Sequence, residues 1–315
     1  MSLPTANDVQ AVDPVLTNML VGYMQADSRF VADRVFPGVS VDKDSGTYYI
    51  FTKKYWFLDE MKPRAYGAQY ARAGFGVETT TYTTLQYALS KAIADEERAN
   101  SQVPMDLEQA AIRWLGQQNL LRKEIQFAAD FMKTSVWGTD DTTATDWDDY
   151  ASGDPVANVL TAKMTISNNT GYDANAMVLG YIVHNALVNH PDIIDRMKHV
   201  QVAGISAVNA GLASIFDVEN YLVAKGSYSN TNEAATFSAS AIIDDDCLVC
   251  RITPSPGIFE ASAGYSFFWP PGGGLGGIQP IWRDGANDAD LVKSKMQWDQ
   301  KAVATDLGYF FSDVV

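Results

Sequence analysis

The sequence predicts an α+β protein: one long spine helix, an extended two-stranded tongue before it, and an axial α/β domain behind it. Three observations carry that expectation. Apolar residues recur at alternating steps of three and four across residues 107–132, the period of a helix face. Two stretches rich in Thr, Tyr and Val, 46–51 (GTYYIF) and 77–87 (VETTTYTTLQY), flank more than twenty residues of different character and read as strands. From residue 176 onward, short apolar runs alternate with helix-like segments, as in a layered α/β unit.

In chain order, residues 1–36 read as an arm. They hold an apolar segment, 15–24 (VLTNMLVGYM), and then 30–37 (FVADRVFP), too little apolar surface for a core of their own. Residues 37–95 hold the two strands and the tongue between them. Most hairpins close in about two to five residues, and a longer connection usually has a job. The tongue, opening with YWFLDEMKPRAYG at 55–67, is dense in aromatic and charged side chains.

A polar connection, 95–104 (DEERANSQVP), leads to the spine helix. Asp106 is placed to cap it, with Gln109 reaching back from three residues on. Its apolar stripe is Leu107, Ala111, Trp114, Leu121, Ile125, Ala128 and Met132, broken only by Gln118, with most charges off the stripe. Over residues 107–134 the helix would be about 42 Å long, enough to serve as a backbone for other elements. No proline interrupts it, and Gly116 is its weakest point.

Beyond an acidic loop, Asp154 and Pro155 form a cap and first helical position that open a helix to about residue 167. The stretch 168–171 (NNTG) ends it. A strand at 177–180, helices through 185 and over 192–200, and strands at 221–224, 247–253 and 264–269 follow. After a Gly/Pro loop at 270–277, the tail 302–315 reads as a last strand closing on an earlier element. These boundaries divide the chain at 1–36, 37–95, 96–172, 173–285 and 286–315.

Composition narrows the function. The chain has 315 residues, 47% apolar and 19% charged, ordinary values for a folded globular protein with a sizeable core. No apolar run approaches the roughly 18 residues of a membrane helix, and the first residues lack signal-peptide character; the expectation is a cytoplasmic protein with no membrane step. Lys plus Arg number 23 against 38 Asp plus Glu, a formal charge of −15. Such a chain is a poor direct binder of nucleic acid, whose affinity comes largely from phosphate neutralisation. The charge is uneven: residues 139–155 hold six Asp and no base, whereas residues 53–76 hold five bases (Lys53, Lys54, Lys62, Arg64, Arg72) against Asp59 and Glu60. The basic tongue of an acidic protein suits an acidic partner surface, and the rest of the same protein qualifies.

The candidate chemical motifs read as structural. Cys247 and Cys250 form a CxxC without a second pair to complete a zinc site; on a strand, positions i and i+3 also face opposite sides, so buried apolar packing is the expectation. Gly272, Gly274 and Gly277 satisfy GxGxxG, but they follow two prolines rather than a strand that opens a helix, and read as a flexible surface loop. His184, His190 and His199 lack metal-ligand or HExxH spacing. The Asp-rich loop lacks the calcium pattern and reads as solvated acid. No catalytic, cofactor or metal residue is assigned.

Several stretches, in their order, resemble the major capsid proteins of tailed phages. They are 34–37 (RVFP) followed by 39–41 and 46–51; 62–65 (KPRA); 95–100 (DEERAN) ahead of the helix and 121–125 (LRKEI) within it; then 189–191 (NHP), 212–218 (LASIFDV) and 266–269 (SFFW). The resemblance implies an N-terminal arm, an extended E-loop (the tongue), a P domain around the spine helix, and an axial A domain. It implies a non-enzymatic subunit that self-assembles as hexamers and pentamers into an icosahedral head around DNA, built in the host cytoplasm and kept in the virion. The implied partners are further copies of the chain, a separate scaffolding protein, a portal protein, decoration proteins in some members, and packaged DNA without tight specific binding. Some members crosslink subunits through an E-loop Lys; Lys62 lies near a plausible tip without an identifiable partner. On this reading the tongue lies across a neighbour, with Trp56, Phe57, Lys62, Arg64, Tyr66 and Arg72 at the subunit interface. A bacterial nanocompartment shell protein shares the expected fold and would enclose cargo instead; a cytosolic α/β hydrolase would show a deep pocket with perturbed acids.

Overall fold

The computed structural model describes residues 28–51, 53–100, 107–143, 146–197, 205–229, 231, 236, 238–255 and 260–315. The apolar segment 15–24, the Asp106 cap and His199 lie outside them. A short helix, Ala32–Val35, leads to β1 (Gly38–Ser40), β2 (Ser45–Phe51), the tongue, β3 (Val77–Thr83) and β4 (Leu85–Ala94). The strand predicted over 77–87 is thus two strands. Thr84 is the corner: its N–H and Oγ1 both donate to Asp44 O at 2.8 Å, and its Oγ1 accepts from Gln297 Nε2 at 3.0 Å. With its backbone donor committed there, the chain leaves its ribbon with β2 and joins a different sheet.

The spine helix runs unbroken from Leu107 to Phe131, straight through Gly116. Its buried face is not the predicted stripe. Ala111, Ile112, Leu115, Gly116, Asn119, Leu120, Lys123, Glu124, Phe127 and Phe131 are buried, while Trp114 is 44% exposed. Four of those buried residues, Gly116, Asn119, Lys123 and Glu124, carry little apolar surface. The tertiary structure needs them there: Asn119 Nδ2 donates to Ser294 Oγ at 2.8 Å, and Lys123 and Glu124 bind the segment before β1. At the C-terminal end, Trp137 folds back and donates to Phe131 O at 2.8 Å, satisfying one of the carbonyls a helix end leaves open.

Next come β5 (Thr139–Asp141) and the helix Pro155–Thr170, opened as predicted by Asp154, which accepts from Ala157 N at 2.9 Å, and closed by Gly171 at φ 71°. Beyond it lie β6 (Ala176–Gly180), helices Tyr181–Asn189, Pro191–Met197 and Ile205–Ile215, and β7 (Asn220–Ala224). Short β8 (Ser227–Tyr228) and β9 (Ser240–Ala241) precede β10 (Cys247–Cys250) and β11 (Gly264–Phe268). The tail holds β12 (Gly277–Asp284), β13 (Ala289–Ala302) and β14 (Gly308–Phe311).

Two sheets organise these strands. In one, β13 is the axis: β4 pairs along one edge, and β12 and then β11 along the other, with β1 parallel to β11 outside. The other has the order β5-β14-β10-β6-β7, so the tail does close on earlier strands. In that sheet β6 and β10 are buried at every residue, which is why they read as continuous apolar runs. The spine joins the two cores. Its first half packs on Ile93, Ile278 and Val292, and Phe127 and Phe131 in its second half join the larger core around β6, β10 and β14.

Two loop expectations need correction. The 270–277 segment is not a loose surface loop. Pro270–Gly272 is a helical turn, Gly273 sits at φ 107°, and Gln297 N donates to Gly274 O at 2.8 Å, pinning the turn to β13. The acidic loop is anchored as well as solvated: Trp147 is fully buried, its ring 5.5 Å from that of Phe311.

Candidate assembly interface

The tongue leaves the body through the seven-rung ribbon of β2 and β3. The ribbon's near end is held down by aromatic stacking: Tyr48 and Tyr82 lie 5.3 and 4.9 Å from the Phe267 ring of β11. Beyond the ribbon, the short helix Lys53–Trp56 forms the base of the tongue. That base is tied to the body by an ion pair from Lys53 Nζ to Asp306 at 2.6 Å and by the Phe57 ring against Gly171. Trp56 and Phe75, whose ring centroids are 5.9 Å apart, close the base across the loop. A cleft of about 1680 Å³, walled by Tyr48, Trp56, Phe57, Tyr265 and Phe267 among others, opens beneath it.

The distal part is ordered by its own short contacts. Asp59 accepts from Met61 N at 3.0 Å, and Ala68 N donates to Ala65 O at 3.1 Å around Gly67 at φ 80°. Arg64 Nη1 donates to Ala68 O at 2.8 Å, and its guanidinium lies 4.2 Å over the Tyr70 ring. Arg64 therefore organises the tip, whereas Lys62 and Arg72 make no ion pair among the described residues.

Every residue from 53 to 75 is exposed. Trp56 and Phe57 are 57% and 59% exposed, and Met61, Tyr66, Tyr70 and Phe75 are more so. All six residues singled out from the sequence thus stand on this one projection, Trp56 and Phe57 at its base and Lys62, Arg64 and Tyr66 toward its tip. Tyr70 and Phe75, missed from the sequence, join them; alternation of aromatics with small residues in 65–76 was the available signal. Exposed aromatic side chains gathered on one projection are the kind of surface at which interaction sites occur.

The residues that could have signalled other chemistry are parts of the scaffold. Cys247 and Cys250 are wholly buried free thiols in β10, and burial pushes the Cys250 thiol up to about 12. His184 Nδ1 lies 3.0 Å from Tyr221 Oη, and burial lowers its pKa. His190 Nδ1 accepts from Asp192 N and its Nε2 donates to Gly153 O at 3.2 Å. Among the described residues there is no cluster of three or more His, Cys, Asp or Glu able to hold a metal, and no helix long and apolar enough to cross a membrane.

A spine helix, a projecting aromatic tongue and the β5-β14-β10-β6-β7 sheet together make up a phage-capsid fold. Solved structures agree. A phage-related protein from Bordetella bronchiseptica RB50 matches with a TM-score of 0.75 at 21% identity, covering 96% of this chain and 97% of that one. The capsid of cyanophage P-SCSP1u matches with a TM-score of 0.58 at 11% identity, covering 88% and 86%. At those identities the likeness shows the fold. No protein-family model matches the chain. In sequence it is 30% identical over 233 residues to the major capsid protein of Burkholderia phage BcepMu, spanning 72% of this chain and 73% of that protein. The chain belongs to the phage major capsid proteins, which favours a structural capsid role over a nanocompartment shell or a hydrolase.

Proposed function

We propose that the chain forms the wall of a phage head, associating as hexamers and pentamers that close into an icosahedral shell around double-stranded DNA. The observation that carries this reading is the tongue: residues 53–75 are exposed throughout and hold aromatics that their own subunit leaves in water. A shell of identical chains supplies a neighbour to cover them. Trp56, Phe57 and Tyr66 then bury their rings at the contact, where aromatic and Arg side chains contribute most of the binding energy. Lys62 and Arg72 meet the acidic surface of the adjoining copy, and Arg64 holds the tip in shape for that contact. The role is mechanical and involves no catalysis. A separate scaffolding protein and a portal protein complete the assembly in the host cytoplasm.

The charge reading has a direct test. Lys62→Glu combined with Arg72→Glu should leave the subunit folded and slow particle formation, more at low salt than at high salt, because screening weakens repulsion. Equal slowing at both salts would contradict an electrostatic role.

The formal charge of −15 further suggests a wall that does not grip the genome. Soluble subunit should bind duplex DNA weakly, with little dependence on salt. Tight binding with a steep salt slope, which counts phosphate contacts, would refute this.

A further inference from the structure

The spine helix carries two adjacent buried charges that the assembly reading does not use. Lys123 is 2% exposed and Glu124 is fully buried. Both serve the segment before β1. Glu124 accepts from Val31 N through both oxygens, at 3.1 and 2.9 Å, and from Ala32 N at 2.8 Å. It thereby caps the helix Ala32–Val35, which has no side-chain cap of its own. Lys123 Nζ pairs with Asp33 at 3.0 Å. Phe36 then enters an aromatic cage, with centroids 5.3 Å from Phe127, 4.7 Å from Phe131 and 6.4 Å from Trp137.

At its other end this segment holds the β5-β14-β10-β6-β7 sheet. Lys225 N donates to Arg29 O at 3.0 Å, just past β7, and the Phe30 ring lies against Gly226. Residues 29–36 thus strap the β7 edge of that sheet to the spine.

We propose that this strap is a pH-sensitive latch: the protonation state of Glu124 sets how firmly residues 29–36 stay docked on the spine helix. Burial and the nearby Asp33 carboxylate raise Glu124 from 4.5 to about 7, although the two backbone N–H groups pull the other way. Arg34, also on the strap helix, is exposed. Lys123, the one buried cation beside Glu124 among the described residues, is committed to Asp33.

The sign follows from linkage. With the strap docked the Glu124 carboxyl stands above its usual range, so the latch is strongest at low pH, where Glu124 is protonated whether or not the strap is docked. It weakens as pH rises through about 7, where docking forces a charge to stay buried.

Hydrogen exchange on the full-length subunit, corrected for the intrinsic pH dependence, reads the latch directly. Protection at Val31, Ala32, Val35 and Phe36 should fall by on the order of 100-fold between about pH 5 and pH 9. In Glu124→Gln, which keeps the size and an acceptor oxygen, the same amides should show a flat profile. Asp33→Asn removes a like charge and frees Lys123, so it should keep the transition and move its midpoint to lower pH. A flat wild-type profile, an unchanged slope in a folded Glu124→Gln, or an unmoved midpoint in Asp33→Asn would each overturn the proposal. If Glu124→Gln does not fold, the Asp33→Asn midpoint decides.

Discussion

Trp56→Ala should yield a subunit that folds normally and no longer builds particles. The side chain is more than half exposed in the single chain, and its ring lies near that of Phe75 on the same tongue. Losing it therefore removes little that the isolated fold depends on. At a subunit contact the same truncation typically costs about 2 kcal/mol or more, and in a closed shell the loss recurs at every copy. Circular dichroism and melting temperature of the subunit, measured beside particle yield, separate the two effects. A large drop in melting temperature would mean that the tongue packs inward as part of its own fold. Normal particle yield would mean that Trp56 is not at an interface.

Phe36→Ala should have the opposite signature, strongly destabilising the folded subunit whatever its state of assembly. The ring is fully buried, sits among Phe127, Phe131 and Trp137, and lies so close to Gly264 that a Cβ there would fall 2.5 Å from it. Deleting a buried phenylalanine ring typically costs about 3–5 kcal/mol, a large part of the about 5–15 kcal/mol that stabilises a typical protein. The cavity also opens where the strap meets the spine, so β1 would lose its anchor. Urea denaturation reads this as a lower midpoint with little change in slope. A shift below about 1 kcal/mol would mean that the strap contributes little to the core.

These two residues show where the sequence was readable and where it was not. The tongue was legible because its signal is local: two strands, a long insertion between them, aromatics and bases. Its anchors, Asp306 and Gly171, lie far along the chain and carry no such mark. The spine helix was legible in extent, because period and the absence of proline are local properties. Its orientation was misread because Asn119, Lys123 and Glu124 face inward to serve Ser294, Asp33 and the strap, so the more apolar stripe was not the buried one. Strand β13 escaped for the same reason. Its inward set, Val292, Ser294, Met296, Trp298 and Gln300, alternates correctly but includes two polar side chains. On the spine, and at Ser294 of β13, a long-range partner overrode the local pattern.

The central claim is that the tongue of one copy covers, and is covered by, another. Cryo-electron microscopy of particles formed on co-expression with a scaffolding protein tests it most directly. The tongue of each subunit should cross its neighbour, with the Trp56 and Tyr66 rings buried against that neighbour and Lys62 or Arg72 beside its carboxylates. A map in which the tongue lies on its own subunit with those rings still in solvent would contradict the account.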